Sequence, residues 1–218
     1  MTRTSWITAA SVLALLAAAP AQAQDAGGNV LTLASEQTTT FVRNFNPFGQ
    51  TSARYTTLDF MYEPLVVFNR LKGNEPHYRL AESFELADDL MSITFVLREG
   101  LKWSDGEALT ADDVVFTYDY IAKFPALDFI SIGAQLESVE KVDERTVTFH
   151  LKEANALIAN TIVGMPIVPE HVWAEIEDPV TFANEEPVGS GPMTEITRFT
   201  PQVYEQCANP HYWDADNL

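Results

Sequence analysis

One segment near the middle of the sequence constrains the fold most, because a strand, a turn and a helix follow one another directly. Apolar and polar residues alternate over Ser92–Leu97, which is the period of a strand with one buried face. Asp105 and Gly106 then predict a tight turn. Thr110 precedes Asp113 by three positions and predicts a capping box at a helix start. Since turn and capping residues mostly serve folding, we interpret this segment as a structural unit.

The charge and cysteine content exclude several classes of protein. The 218 residues include 31 acidic and 13 basic side chains, which gives a formal net charge of −18. Nucleic-acid binding needs clustered Lys and Arg, so we expect no nucleic-acid partner and no anionic membrane surface. The single cysteine, Cys207, allows no internal disulfide. The fold must therefore be stabilised by a packed core.

The N-terminus is typical of a secretory signal peptide. Arg3 supplies the positive start, Ile7 to Ala19 is a short apolar run, and Ala21-Gln22-Ala23 is a small-residue cleavage site. The apolar run is too short for a membrane span, so we expect residues 1–23 to be removed. No cysteine lies near the site to carry a lipid anchor. The sequence therefore predicts a soluble periplasmic protein.

Alternation and turn signals predict antiparallel strand pairs with separate helices, which is an α+β arrangement. The predicted strands are Asn29–Ala34, Leu65–Phe68, Arg79–Leu86, Ser92–Leu97, Gln135–Val142, Arg145–Leu151, Thr194–Arg198 and Gln202–Gln206. The predicted helices are Ala53–Tyr62, the helix capped by Thr110, Asn155–Val163 and Pro169–Ile176.

Five short motifs follow one another in an order typical of one protein family. They are YEPL at 62–65, LAES at 80–83, LREGLKWSDGEALTADDV at 97–114, VGSGP at 188–192 and NPHYW at 209–213. In this order they resemble the signatures of the family 5 extracellular solute-binding proteins. That family supplies the receptors of ABC importers for peptides, nickel and oligosaccharides.

The resemblance implies part of a type II periplasmic-binding-protein-like fold of the cluster C type, with mixed sheets and flanking helices. It implies a first segment of domain I at residues 24–62, domain II at 63–187, and a return to domain I at 188–218. Family members are far longer than this chain, so the resemblance implies an N-terminal portion without the opposing lobe. We therefore expect these residues alone to bind ligand weakly or not at all.

The resemblance also implies a function, namely the periplasmic substrate-binding component of an ABC importer for oligopeptides or oligosaccharides. The solute would be held between two lobes and released without chemical change. The implied partners are the small-molecule solute and the permease subunits in the inner membrane. We expect a monomer that needs no cofactor and is not an enzyme.

The candidate ligand-binding residues belong to loops that should line the cleft. They are Glu36, Asn44, Phe45, Asn46, Phe48 and Tyr62. Asparagine amides donate and accept hydrogen bonds, and phenylalanine rings offer apolar platforms. The motif NFNPF at 44–48 is similar to the sequences of family members that take up cello-oligosaccharides. In the alternative interpretation, the two phenylalanines belong to the core and the asparagines form turns around Pro47.

Other functions remain open or are disfavoured by spacing. We expect Trp103, Trp173 and Trp213 to belong to the core and not to a stacking site. The four histidines lack metal-ligand spacing, and Gly189-Ser190-Gly191 lacks the G-x-S-x-G pattern of a hydrolase nucleophile. We therefore predict no metal site and no catalytic residue. A secreted hydrolase with a carboxylate pair, and a sensor or chaperone on the same fold, remain the alternatives.

Overall fold

The structure is a computed structural model that describes residues 40–49 and 60–217. The predicted signal peptide, the predicted strand Asn29–Ala34 and most of the predicted helix Ala53–Tyr62 lie outside these residues. Phe60, Met61 and Tyr62, the described end of that helix prediction, are not helical.

Within the described residues the chain forms eight strands and three α-helices. The strands are β1 (Val66–Asn69), β2 (Glu75–Tyr78), β3 (Ala81–Leu86), β4 (Ser92–Leu97), β5 (Leu136–Lys141), β6 (Thr146–Leu151), β7 (Met193–Phe199) and β8 (Tyr204–Ala208). The helices are α1 (Ala111–Lys123), α2 (Ile158–Ile162) and α3 (Glu170–Trp173). Single 3-10 turns lie at Arg70–Lys72, Pro125–Leu127, Ile132–Ala134 and Ala215–Asn217. No helix in this part of the chain has the length and apolar character needed to cross a bilayer.

A four-stranded antiparallel sheet in the order β3-β4-β6-β5 forms the centre of the fold. Alternate residues of β4 and β6 are buried, as the sequence period predicts, and Phe95 lies opposite Val147. Helix α1 covers this buried face, with the ring of Tyr118 centred 4.8 Å from that of Phe149. The core is therefore built from one face of the sheet and one stripe of α1.

The predicted capping box at the start of α1 is confirmed. The Thr110 side chain accepts from the amide of Asp112, and the Thr110 amide donates to the Asp113 carboxylate over 2.9 Å. The same carboxylate accepts from the amide of Glu170 over 3.0 Å and so connects α1 to α3. Burial raises the pKa of Asp113, while these backbone donors act in the opposite direction.

Two segments distant in sequence, at 60–61 and 189–193, run side by side. The amide of Gly191 donates to the Met61 carbonyl over 2.8 Å, and the amide of Met193 donates to the Phe60 carbonyl over 2.9 Å. A Cβ atom at Gly191 would overlap the carbonyl of Phe60, and one at Gly189 would overlap that of Met61. The VGSGP glycines are therefore needed because two backbones approach closely here.

Most predicted elements are confirmed, with differences at their ends. Strand β2 was not predicted, because Pro76 and the lack of apolar alternation make it look like a loop. Helix α2 is shorter than predicted, since Asn155 bonds the amide of Leu157 and forms a turn there. Helix α3 is also shorter, ending at Trp173.

The tryptophan predictions have different outcomes. Trp103 and Trp173 are fully buried, as predicted. Trp213 is only half-buried, with the guanidinium of Arg98 4.0 Å from its ring centroid, so its assignment to the core was wrong in part.

Candidate functional site

A cavity of about 490 Å³ opens between the β1–β2 hairpin and the loop that follows α2. Its volume falls in the range of small-molecule sites. The lining residues are Tyr62, Glu63, Pro64, Val67, His77, Arg79, Val163, Gly164, Met165 and Pro166.

The hairpin supplies one wall of the cavity. Val67 of β1 lies directly opposite His77 of β2, so both side chains are on the same face. Arg79 follows His77 by two positions and continues this face. Val66 is buried on the other face. The strand period therefore directs His77 and Arg79 towards the cavity.

The floor of the cavity contains a buried carboxylate that the protein itself saturates. Glu63 forms an ion pair with Arg79, accepts from the Tyr212 hydroxyl over 2.8 Å and accepts from the Trp213 indole N–H over 2.6 Å. Its own amide donates to the Ser190 hydroxyl over 3.0 Å. Burial, and then the Glu63 carboxylate, raise the pKa of the Tyr212 phenol, which stays a neutral donor. Glu63 therefore anchors its neighbours.

Arg79 is held from three directions. Its Nη2 atom donates to Glu63 and, over 2.9 Å, to the Tyr212 hydroxyl. Its carbonyl accepts from Nε of Arg98 over 2.6 Å, and Arg98 also donates to the Tyr78 carbonyl over 3.1 Å. The side chain of Arg79 is still 33% exposed. The guanidinium is thus fixed in orientation but reachable from the cavity.

The facing wall is apolar and is positioned by α1. The Tyr118 hydroxyl donates to the Ile162 carbonyl over 2.9 Å, at the end of α2. The amide of Val168 donates to the Thr117 hydroxyl over 3.1 Å, after the loop. Between these two contacts, Met165 is buried and Gly164 is exposed. The loop is therefore held at both ends, which fixes the width of the cavity.

The predicted site residues at 44–48 lie together in a buried turn. The amide of Asn46 donates to the side-chain oxygen of Asn44 over 3.1 Å, and the Asn46 side-chain nitrogen donates to the carbonyls of Pro179 and Phe182, both over 2.8 Å. The amide of Phe48 donates to the Asn46 side-chain oxygen over 2.9 Å.

Both phenylalanines of the turn pack against other rings. Phe48 is centred 5.3 Å from Trp173 in an edge-on arrangement. Phe45 is 1% exposed and lies 5.7 Å from Tyr204 and 6.1 Å from Phe199. These contacts favour the alternative in which the turn is a packing element.

Tyr62 joins the buried turn through one asparagine. The side-chain nitrogen of Asn184 donates to the Tyr62 hydroxyl over 2.8 Å and to the Phe45 carbonyl over 3.1 Å. Burial raises the pKa of the Tyr62 phenol. Glu36, the remaining candidate, lies outside the described residues. No contact tests ligand binding by these six residues, so that role stays a prediction.

Of the six predicted site residues Tyr62 lines the cavity, but sequence reasoning missed its basic residues, His77 and Arg79. His77 and Arg79 alternate with Tyr78 and Leu80, so a strand period was available as a signal. It was obscured because Pro76 opens this stretch. The loop at 163–166 offered no comparable signal. Within residues 40–49 and 60–217, no three His, Cys, Asp or Glu side chains meet as a metal site requires.

Comparison with known proteins gives consistent similarities. A family model described as bacterial extracellular solute-binding proteins, family 5 Middle, matches residues 75–218. A Brucella ovis protein named as an ABC transporter peptide-binding protein is 34% identical over 177 residues, which are 79% of this chain and 33% of that protein. The chain spans about a third of the length of the curated relatives it matches.

Solved structures show the same relationship. The periplasmic oligopeptide-binding protein of an oligopeptide ABC transporter from Thermotoga maritima matches with a TM-score of 0.73 and 30% identity, over 82% of this chain and 33% of that one. Its structure with bound mannohexaose matches with a TM-score of 0.71 and 31% identity, over 80% and 32% of the two chains. These neighbours confirm the predicted α+β fold of the periplasmic-binding-protein type.

Proposed function

The chain belongs to the bacterial extracellular solute-binding proteins of family 5, and we propose that it contributes to the solute-binding receptor of an ABC importer. The proposed ligand is an oligopeptide or an oligosaccharide, which is bound and released without chemical change. The names of the similar proteins support both ligand classes, since one is named for peptides and another holds mannohexaose.

The observation that carries this proposal is the cavity between the β1–β2 hairpin and the loop after α2. Its polar groups on the hairpin side are oriented by the protein, and the facing wall is apolar, as in sites that bind small molecules. Glu63 is the acid among the described lining residues, and both of its carboxylate oxygens already accept hydrogen bonds. This arrangement favours holding a ligand over transferring protons to it.

The domain division is part of the same proposal. Residues 24–62 and 188–218 are proposed to belong to domain I, and residues 63–187 to domain II. The hydrogen bonds of Gly191 and Met193 with Met61 and Phe60 support it, because they join the segments that flank both boundaries. A second lobe would close over the cavity, and the ligand would favour closure through tighter contacts in the closed state.

Location and partners follow from the family. We propose export to the periplasm through residues 1–23, action as a monomer, and docking of the closed receptor on inner-membrane permease subunits. No nucleic acid or cofactor takes part in this scheme.

The proposal is tested with the gene product at its full encoded length. Isothermal titration calorimetry against mannohexaose, a cello-oligosaccharide and a defined set of oligopeptides should give saturable binding to at least one class. Mass spectrometry of the recovered ligand should give an unchanged mass. Recovery of a shortened ligand would favour the alternative of a secreted hydrolase over the receptor. Lack of binding to every probe would overturn the proposed ligand classes.

A further inference from the structure

We propose that the cavity contains a subsite for a carboxylate of the ligand, formed by Arg79 with His77 beside it. The inference rests on the proposed solute-binding function and narrows the ligand to a solute that carries a carboxylate. A peptide with a free C terminus and a sugar acid share this chemistry.

The hairpin presents both basic side chains on one face. His77 and Arg79 are two positions apart, and both line the cavity. The His77 side chain is exposed and has no hydrogen bond or ion pair with any residue of the described part of the chain. Asn74 at the hairpin tip donates to the side chain of Asn160 over 3.3 Å, which connects the hairpin to α2. The two side chains are therefore presented by an anchored strand.

Arg79 keeps donors available after its internal contacts are made. Its contacts with Glu63 and Tyr212 both use Nη2. The Nε and Nη1 atoms have no hydrogen-bond partner within residues 40–49 and 60–217. An arginine carries five N–H donors and no acceptor, so the free donors require an acceptor from solvent or ligand. A carboxylate fits best, because charge-assisted hydrogen bonds are the strong ones.

The local charge also favours an anion. Glu63 is the lining acid, and Arg79 already offsets its charge. Arg98, directly behind Arg79, adds a further positive charge. Two acidic residues nearby would repel an anion. Asp214 raises the pKa of Tyr212, and Glu75 precedes His77 by two positions, but neither lines the cavity. In a chain with a net charge of −18, this basic wall is a local exception.

The facing wall strengthens the interaction. Val163, Met165 and Pro166 face the basic pair with apolar surface, and Val67 lies beside His77 on the hairpin. Hydrogen bonds to a charged group are stronger where water is partly excluded. The same surface suits the uncharged remainder of a peptide or sugar.

The test uses two matched pairs of probes with the full encoded gene product. The first pair is an alanine tripeptide with a free C terminus and its C-terminal amide. The second pair is an oligomannuronate and the neutral manno-oligosaccharide of equal length. In at least one pair, the acid should bind about tenfold more tightly than its neutral partner. The pair that discriminates identifies the source of the carboxylate.

Two variants assign the preference to the subsite. Arg79→Lys keeps the charge opposite Glu63 but removes the donors at Nε and Nη1, and His77→Ala removes the neighbouring ring. Combined in one protein, the two changes should reduce the preference to about twofold or less, because the acid probe loses more affinity than its neutral partner. Arg145→Lys is the matched control, since Arg145 lies outside the cavity and approaches Glu82 at 3.6 Å. If Arg79→Lys does not fold, His77→Ala can be tested alone, since replacing an exposed side chain should leave the fold intact. This variant should still reduce the preference for the acid probe.

The outcomes separate the two proposals. Equal affinity for acid and neutral probes, or a preference that both variants leave intact, would overturn the subsite while the receptor function stands. Failure of all four probes to bind would overturn the subsite, and the receptor function would fall with it only if the wider set of oligopeptides and oligosaccharides also failed to bind.

Discussion

The Asn44–Phe48 turn and the cavity face of the β1–β2 hairpin offer similar chemistry but have opposite exposures. In the turn, the side-chain amide of Asn46 is hydrogen-bonded and both phenylalanine rings are packed within the protein. On the hairpin, His77 and Arg79 keep unpaired donors beside a cavity. Residue type thus determines what a side chain can bind, whereas packing determines whether a ligand can reach that side chain.

Tyr62 and Glu63 both line the cavity, and their side chains hydrogen-bond to different regions. The Tyr62 hydroxyl accepts from Asn184 on the side of the turn. The Glu63 carboxylate holds Arg79 on the side of the cavity. One short backbone segment therefore supports both the packed region and the open one.

The largest effect is expected from Phe45→Ala. If Phe45 is a core residue, its removal leaves a cavity and should lower the free energy of unfolding by about 4 kcal/mol. Urea denaturation measures this value. Val42→Ala is the matched control, since Val42 is 70% exposed and should change stability by less than about 0.5 kcal/mol. A stable Phe45→Ala variant that loses ligand affinity would restore the predicted binding role of the turn.

A somewhat smaller loss is expected from Gly191→Ala. The new Cβ would overlap the carbonyl of Phe60 and push apart the two paired segments. Because the displaced segment supports both regions, the free energy of unfolding should fall by about 2 to 3 kcal/mol. Thermal denaturation followed by circular dichroism measures the loss. A change below about 0.5 kcal/mol would show that the two segments can move apart without strain. The inference that this segment supports both regions would then be wrong.

Acid should weaken the packed region through Asp178. Its carboxylate accepts from the Thr181 hydroxyl over 2.6 Å, which, with the amides of Thr181 and Val180, lowers the pKa of Asp178. A lowered folded-state pKa adds stability above the ordinary aspartate range, and this stability is lost as the pH falls through the folded value. The segment concerned includes Pro179 and Phe182, whose carbonyls hold Asn46.

Asp178→Asn isolates that contribution. The wild type should be more stable than the variant at neutral pH, and the difference should shrink as urea denaturation is repeated at pH values below the ordinary aspartate range, disappearing below the lowered pKa of folded Asp178. A difference that is independent of pH would contradict a role for the charge.

The smallest effect on stability is expected on the hairpin face. His77→Ala removes an exposed ring without hydrogen bonds among the described residues, so the free energy of unfolding should change by less than about 0.5 kcal/mol. Chemical denaturation measures it beside the Phe45→Ala variant. A loss above about 1 kcal/mol would mean that His77 is a packing residue, and the contrast between the two regions would disappear.

Elements with a clear local period were predictable, and elements without one were not. The pairing of β4 with β6 and the cap of α1 follow from alternation and from Thr110 with Asp113, all local signals. Strand β2 and the true length of α2 depend on Pro76 and on the Asn155 turn, where local signals compete with tertiary pairing. For the site, the residues predicted from their chemistry are mainly buried, and the exposed basic pair was missed.

By itself, the sequence determined the α+β class, the strand–turn–helix unit and the family, because periodicity, caps and motifs act over short distances. The tertiary structure alone decided which polar groups are satisfied. Asn46 is saturated by carbonyls more than a hundred positions away, and Arg79 is oriented by Glu63 and Tyr212 from two other segments. The physical reason is that a buried donor must find an acceptor, and its partner is set by packing and not by sequence neighbours.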